Sequence, residues 1–353
     1  MRIGVPSETK TLEGRVALVP AACADLVRQG HEVFVQSGAG LKSGFSDEAF
    51  ARVGVKLAAT AKELYDSAEM IVKVKEPIAG DLELLRKDHL LFCYLHLAAE
   101  PELTKRLLEI GLTGIAFESV EHNDGTLPLL APMSIIAGRI ATQVGTHLLH
   151  QPEGGKGKLL GGLPSTERGK VIVFGAGAAG SNSAQLAAAG GANVIVFEKR
   201  PDRLQEMMAV APNVTALYPY EETVAREIRT ADLVIGAVLI PSAKAPRVVT
   251  AEMVKSMEPG SVLVDISIDQ GGCFETSKAT TWKDPTYVVD GVTHFCVTNM
   301  PGAVPQTSSQ AICAAILPYV ARLAADKNWK AFEPLKRGIN VEGGQIVHPA
   351  LKG

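Results

Sequence analysis

The stretch from Lys170 to Glu198, KVIVFGAGAAGSNSAQLAAAGGANVIVFE, constrains the fold of this chain more than any other. Val171 to Phe174 is a short apolar run of the kind that forms a strand buried on both faces. It leads straight into Gly175, Gly177 and Gly180, which are spaced as GxGxxG. An alanine-rich segment then runs to Gly190 and Gly191, and a second apolar run, Asn193 to Phe197, ends on Glu198. Strand, glycine turn, helix, strand and acid in this order give the glycine spacing its meaning. Gly175 permits the tight turn, Gly177 lets the backbone approach a pyrophosphate, and Gly180 lets the helix pack close to the strand. The helix start offers unpaired N–H groups to the phosphates. Glu198 is placed to accept hydrogen bonds from a ribose and to repel a 2′-phosphate. The stretch reads as a dinucleotide site.

The rest of the chain repeats this βα alternation. Strands are expected at Arg2–Val5, Glu32–Val35, near Val55, and at Met70–Lys75, Leu90–His96 and Thr113–Glu118. Between them fall helices from Pro20 to Gly30, Asp47 to Val53, Ala61 to Ser67 and Pro101 to Ile110. Pro132 to about His150 reads as one long helix bridging two domains. After the glycine unit come strands near Val214 and at Asp232–Ala237 and Ser261–Ile266, with helices from Glu221 and near Thr250. Thr307 to Ala325 is a second long helix that returns the chain to the first domain. The alternation predicts an α/β protein with parallel, doubly wound sheets. The boundaries expected are 1–130 and 305–353 for one domain, with 131–304 inserted between them as the nucleotide domain.

At 353 residues the chain has room for about two cores. Lys and Arg number 35 against 38 Asp and Glu, so the charge favours neither nucleic acid nor an anionic membrane. Five scattered cysteines without CxxC spacing point to free thiols in a reducing, cytoplasmic compartment. The opening MRIGVPSETK is too polar for a signal peptide. The apolar stretch Ala311 to Ala325 is read as broken by Pro318 and interrupted by Arg322, hence not membrane-spanning. His147 and His150 lie three apart but lack a third ligand at metal spacing, so no metal is expected.

Ligands of open α/β sheets sit beyond the carboxyl ends of the strands. Arg15 falls in the loop after the first strand, Lys75 and His96 at the ends of theirs, and Asp269 just after Ser261–Ile266. An arginine fork, a lysine point charge and an imidazole suit a small carboxylate with a carbonyl or amine beside it. Cys93 and His96, on one strand with period two, are expected on opposite faces rather than as a nucleophile pair.

Several motifs along nearly the whole length also resemble the alanine dehydrogenase family: MRIGVPSETKTLEGRVALVP, VKVKEP, YLHLA, PMSIIAGRIATQVG, ADLVIGAVLIP, VDISIDQGGCFETS and VTNMPGAVPQTS. The resemblance implies a Rossmann NAD-binding domain inserted into a flavodoxin-like or Rossmann-like substrate domain. It implies reversible oxidative deamination of L-alanine to pyruvate and ammonia by a homohexamer using NAD. By the same resemblance Arg15 and Lys75 hold the substrate carboxylate and carbonyl, and His96 and Asp269 are the acid–base residues. Cofactor contacts are implied at Ser134, Ala178, Ala179, Glu198, Arg203, Val238, Leu239, Ile266, Ser267, Ile268, Asp269, Lys278, Val297, Thr298, Asn299 and Met300.

Two departures stand out: Glu198 is where the family generally has Asp, and Lys278 is where Arg is common. Lys199 and Arg200, directly after Glu198, are cations near the ribose end. Three other readings remain open. The NAD-binding component of proton-translocating transhydrogenase is a near relative, but APMSIIAGRIATQVG lacks that group's Arg-Gln-Asp-Ser loop. An opine- or saccharopine-type amino-acid dehydrogenase uses similar cations. A non-catalytic NAD-binding protein would keep the fold without the four reactive residues.

Overall fold

A computed structural model describes residues 1–238 and 245–352. Its strands are β1 (Arg2–Val5), β2 (Glu32–Gln36), β3 (Lys56–Ala58), β4 (Met70–Val72), β5 (Leu90–Cys93), β6 (Thr113–Ala116), β7 (Lys170–Phe174) and β8 (Asn193–Phe197). They continue with β9 (Val214–Leu217), β10 (Leu233–Gly236), β11 (Val262–Asp265), β12 (Thr286–Val289), β13 (Val292–Phe295), β14 (Ile339–Glu342) and β15 (Gln345–Ile346). The chain forms two compact units, Met1–Met133 with Gly302–Gly353, and Ser134–Pro301.

The first unit holds an eight-stranded sheet in the order β15-β14-β6-β5-β4-β1-β2-β3. β1 to β6 are mutually parallel, and β14 runs antiparallel to β6. Read from β3, the parallel part is 3-2-1-4-5-6, which is the Rossmann order rather than the flavodoxin-like one. The second unit repeats that order in β9-β8-β7-β10-β11-β13, with β12 as an antiparallel edge. The central strands are apolar throughout and wholly buried, as helices on both faces require: MIV in β4, VLV in β11 and VIVF in β7.

The differences from expectation lie mostly at strand ends. β4 stops at Val72 and β5 at Cys93, so Lys75 and His96 lie three residues beyond their strands, not at the last position. The ladder nonetheless continues irregularly, with Lys73 N donating to Phe92 O and Tyr94 N to Val74 O, both at 3.1 Å. β6 ends at Ala116 and passes into a 3-10 turn, Phe117–Ser119. The β12–β13 hairpin lies outside the expected strands, although Asp290-Gly291, both at positive φ (48° and 80°), is the turn dipeptide such hairpins favour. The β14–β15 hairpin likewise adds to the expected strands.

Pro318 does not break its helix: Pro305–Ala325 is continuous, and by length and composition it is apolar enough to cross a membrane. Its apolar face is nevertheless spent inside the first unit, where Ile312, Ile316 and Val320 are fully buried. The other long helix runs from Ala131 to Leu148. Its part in the second unit packs closely: a Cβ on Gly138 would lie 2.1 Å from the carbonyl oxygen of Ala179. Ser183 Oγ donates to Gly138 O at 2.8 Å, fixing this helix against Ala178–Ala189.

Candidate functional site

In the first unit, the loops bearing Arg15, Lys75 and His96 leave the carboxyl ends of three neighbouring parallel strands, β1, β4 and β5. β1 and β4 flank the point where the strand order reverses, which is where open α/β sheets receive ligands. The topology therefore gathers these three residues on one sheet edge.

The loop after β1 is charged in sequence but sealed in structure, with Arg15 2% and Glu13 1% exposed. Arg15 Nε and Nη2 grip the two oxygens of Glu13 at 2.6 and 2.5 Å, and Nη1 reaches Met133 Sδ at 3.1 Å. Burial works against the guanidinium charge, but Glu13 outweighs it and holds Arg15 more firmly protonated than usual. Beside it, Glu8 accepts from the backbone N–H groups of Val74 (2.7 Å) and Lys75 (3.3 Å), so a residue of the first loop shapes the lysine loop. The fully buried Lys73 ammonium lies 3.4 Å from Glu8 and 3.3 Å from Asp81. Burial again opposes its charge, and these carboxylates overcome it, raising the lysine above its ordinary range.

His96 has φ 51°, a left-handed conformation sparsely populated by non-glycine residues. Glu118, in the turn after β6, accepts from the backbone N–H of His96 at 2.6 Å and from that of Leu95 at 3.2 Å. The imidazole stacks on Tyr94, with centroids 5.7 Å apart and planes within 5°, and is 42% exposed. Tyr94 is itself anchored by its hydroxyl, which donates to Leu129 O at 2.6 Å. Cys93 is fully buried, and burial pushes its thiol well above the ordinary range. The pair with His96 is thus excluded by burial; strand alternation no longer applies past Cys93.

In the second unit the three glycines differ as their spacing implies. Gly175 has φ 93°, and a Cβ there would lie 2.6 Å from Ala237 O. A Cβ on Gly180 would come within 1.9 Å of Gly175 O, whereas one on Gly177 would meet no protein atom within 4 Å. Gly177 caps the helix Ala178–Ala189, whose first N–H groups lack intrahelical acceptors. The bare Gly177 and this helix start fit a pyrophosphate. Ser134 lies one turn before Gly138 on the face that packs against this helix.

Glu198 follows β8 and accepts from Ala176 N (2.8 Å), Lys199 N (2.6 Å) and Arg200 N (3.0 Å), tying the acid to the glycine turn. Arg200 pairs with Asp202, and Arg203 with Glu206 at 2.7 Å. Val238 follows β10 and the Ile266–Gln270 turn follows β11, while Val297 to Met300 follow β13; all of these stand at carboxyl ends. Leu239 lies outside the described residues. Lys278 is exposed, its backbone N–H donating to Tyr287 Oη at 2.7 Å.

Asp269 is exposed on the Ile266–Gln270 turn, which is held from beneath by the fully buried Asp265. That carboxylate accepts from Ser267 N and Cys273 N, both at 2.9 Å, and from Ser277 Oγ at 2.5 Å. Glu8, Glu13, Lys73, Glu118 and Asp265 were not singled out from sequence. Glu8, Glu13 and Glu118 contact Lys75, Arg15 and His96 directly, while Lys73 and Asp265 hold the loops beside them, through contacts that only the folded chain reveals.

Two sheets of one strand order, one with a glycine turn opening a helix and one with a cationic edge carrying an imidazole, are the architecture of a two-unit Rossmann-type dehydrogenase. The chain belongs to the alanine dehydrogenase/PNT family: residues 4–137 match its N-terminal domain and residues 141–349 its C-terminal domain. It is 48% identical to the alanine dehydrogenase of Halomonas elongata, over 99% of this chain and 96% of that one. A solved L-alanine dehydrogenase superposes with a TM-score of 0.96 at 46% identity, covering 100% of this chain and 98% of that one. A transhydrogenase from Sinorhizobium meliloti superposes with a TM-score of 0.87 at 26% identity, covering 99% of this chain and all of that one.

Proposed function

We propose that this protein is an NAD-dependent L-alanine dehydrogenase, catalysing the reversible conversion of alanine, NAD and water to pyruvate, ammonium and reduced coenzyme. The observation that carries the reading is the grouping of Arg15, Lys75 and His96 beyond β1, β4 and β5, at the strand-order reversal of the first unit. That unit is the substrate domain and the second unit the NAD domain. Arg15 and Lys75 hold the carboxylate and the carbonyl or amine. Arg15 is suited to the task because Glu13 keeps its guanidinium charged and aimed.

When bound, NAD would supply the hydride acceptor for the substrate Cα. The glycine turn and the N–H groups of Ala178, Ala179 and Gly180 would hold its pyrophosphate, and Glu198 its ribose hydroxyls. His96 takes the proton from the water that attacks the iminium carbon, and returns one to the departing amine. Asp269, exposed on its turn, is the second acid–base group.

Purified protein mixed with L-alanine and NAD should produce reduced nicotinamide, with larger amino acids giving little. Failure with alanine alongside turnover of another amino acid would overturn the substrate assignment. NADP should support much lower kcat/KM, because Glu198 repels a 2′-phosphate and Arg200 is engaged by Asp202. Comparable efficiency with both coenzymes would refute that role for Glu198. His96→Ala should abolish turnover yet leave NADH binding measurable; retained turnover would remove His96 from the chemistry.

A further inference from the structure

We infer that Glu118 is the positioning residue for His96, fixing its backbone so that the imidazole is aimed at the substrate. The inference rests on the assignment of His96 as the acid–base group. Glu118 Oε1 takes the His96 N–H at 2.6 Å, and the same carboxylate takes the Leu95 N–H through both oxygens at 3.2 and 3.3 Å. Two consecutive amides are thereby turned toward one side chain, and the second of these residues, His96, is held at φ 51°. The stacked Tyr94 ring fixes the plane of the imidazole on the other side.

The same Oε1 lies 3.8 Å from His96 Nδ1, too far for a hydrogen bond. Glu118 therefore acts on His96 through its backbone, as a mechanical clamp.

The test grades the clamp. Glu118→Gln keeps an acceptor of the same reach, Glu118→Asp withdraws it by one methylene, and Glu118→Ala removes it. The kcat for alanine should fall about tenfold or more in Glu118→Asp and further in Glu118→Ala through misaimed geometry, with NADH binding unchanged, while Glu118→Gln recovers much of the rate. The His96 Cε1–H resonance of the free enzyme, assigned by its loss in His96→Asn, should be displaced in Glu118→Ala and return toward the parent position in Glu118→Gln.

Parent-like kcat and an unmoved His96 resonance in Glu118→Ala would overturn the inference, and so would equal losses in Glu118→Gln and Glu118→Ala. If the parent protein does not oxidise alanine, the functional reading fails, but the His96 resonance still decides the link between Glu118 and His96.

Discussion

Gly177 and Gly180 sit in one turn, yet a methyl group added to each would meet different obstacles. On Gly180 it would strike the Gly175 carbonyl, so Gly180→Ala should cost about 1–3 kcal/mol of stability and weaken NADH binding together. On Gly177 it would meet no protein atom, so Gly177→Ala should cost no more than about 1 kcal/mol, the N-cap preference of glycine over alanine, while losing NADH affinity. Thermal melts paired with NADH fluorescence titrations check both, and undiminished NADH binding by Gly177→Ala would remove that glycine from the phosphate site. These glycine roles were legible in the sequence, because a backbone that must approach another group closely leaves only one residue type available. The roles of Glu13 and Glu118 were not. A carboxylate in a loop looks like a solvated charge until the fold shows which amides or guanidinium it holds.

At the scale of elements, the loop after β4 depends on a charge cluster built beneath it. Glu8 grips the N–H groups of Val74 and Lys75 and shares the buried Lys73 ammonium with Asp81. Glu8→Gln would leave that ammonium with Asp81 alone, and breaking a buried pair on one side costs about 3–5 kcal/mol. A fall in melting temperature of roughly 6–20 °C is expected for a unit of this size, along with a raised KM for pyruvate as Lys75 loses its support. An unchanged melting temperature would show that the cluster does not bear on stability. Elements were legible where apolar runs are long enough to need burial on both faces, as in β7, β8 and β11. Their ends were less so, since irregular pairing carries the ladder past Val72 and Cys93 and hides where Lys75 and His96 leave the sheet. β14 was harder still: four residues, INVE, give little local signal, and their partner β6 lies more than two hundred residues earlier.

For the whole molecule, each unit encloses a neutral histidine. His89 takes the Arg86 N–H on Nδ1 (3.0 Å) and donates from Nε2 to Tyr65 O (3.0 Å); His294 donates from Nδ1 to Val292 O (2.9 Å) and takes the Thr276 hydroxyl on Nε2 (2.7 Å). These tautomers follow from the partners, and burial holds both groups below the ordinary histidine range. Below about pH 6.5 the unfolded chain binds protons that the folded chain refuses, so stability should fall as pH falls from there toward the depressed folded values. Denaturation at pH 7.5 and 5.5 tests this. His89→Gln, which keeps the donor to Tyr65, should lessen the acid loss, and an identical acid loss would exonerate His89. The split of the first unit around the second has a consequence for synthesis. As the nascent chain emerges, β6 has no partner on its outer side until Ile339–Glu342 has been made, while the whole of the second unit is already out of the ribosome. The inserted unit can therefore mature first, and the unit that begins translation is the last to close its sheet. Over that interval an unprotected strand edge, Thr113–Ala116, is the natural ward of a chaperone.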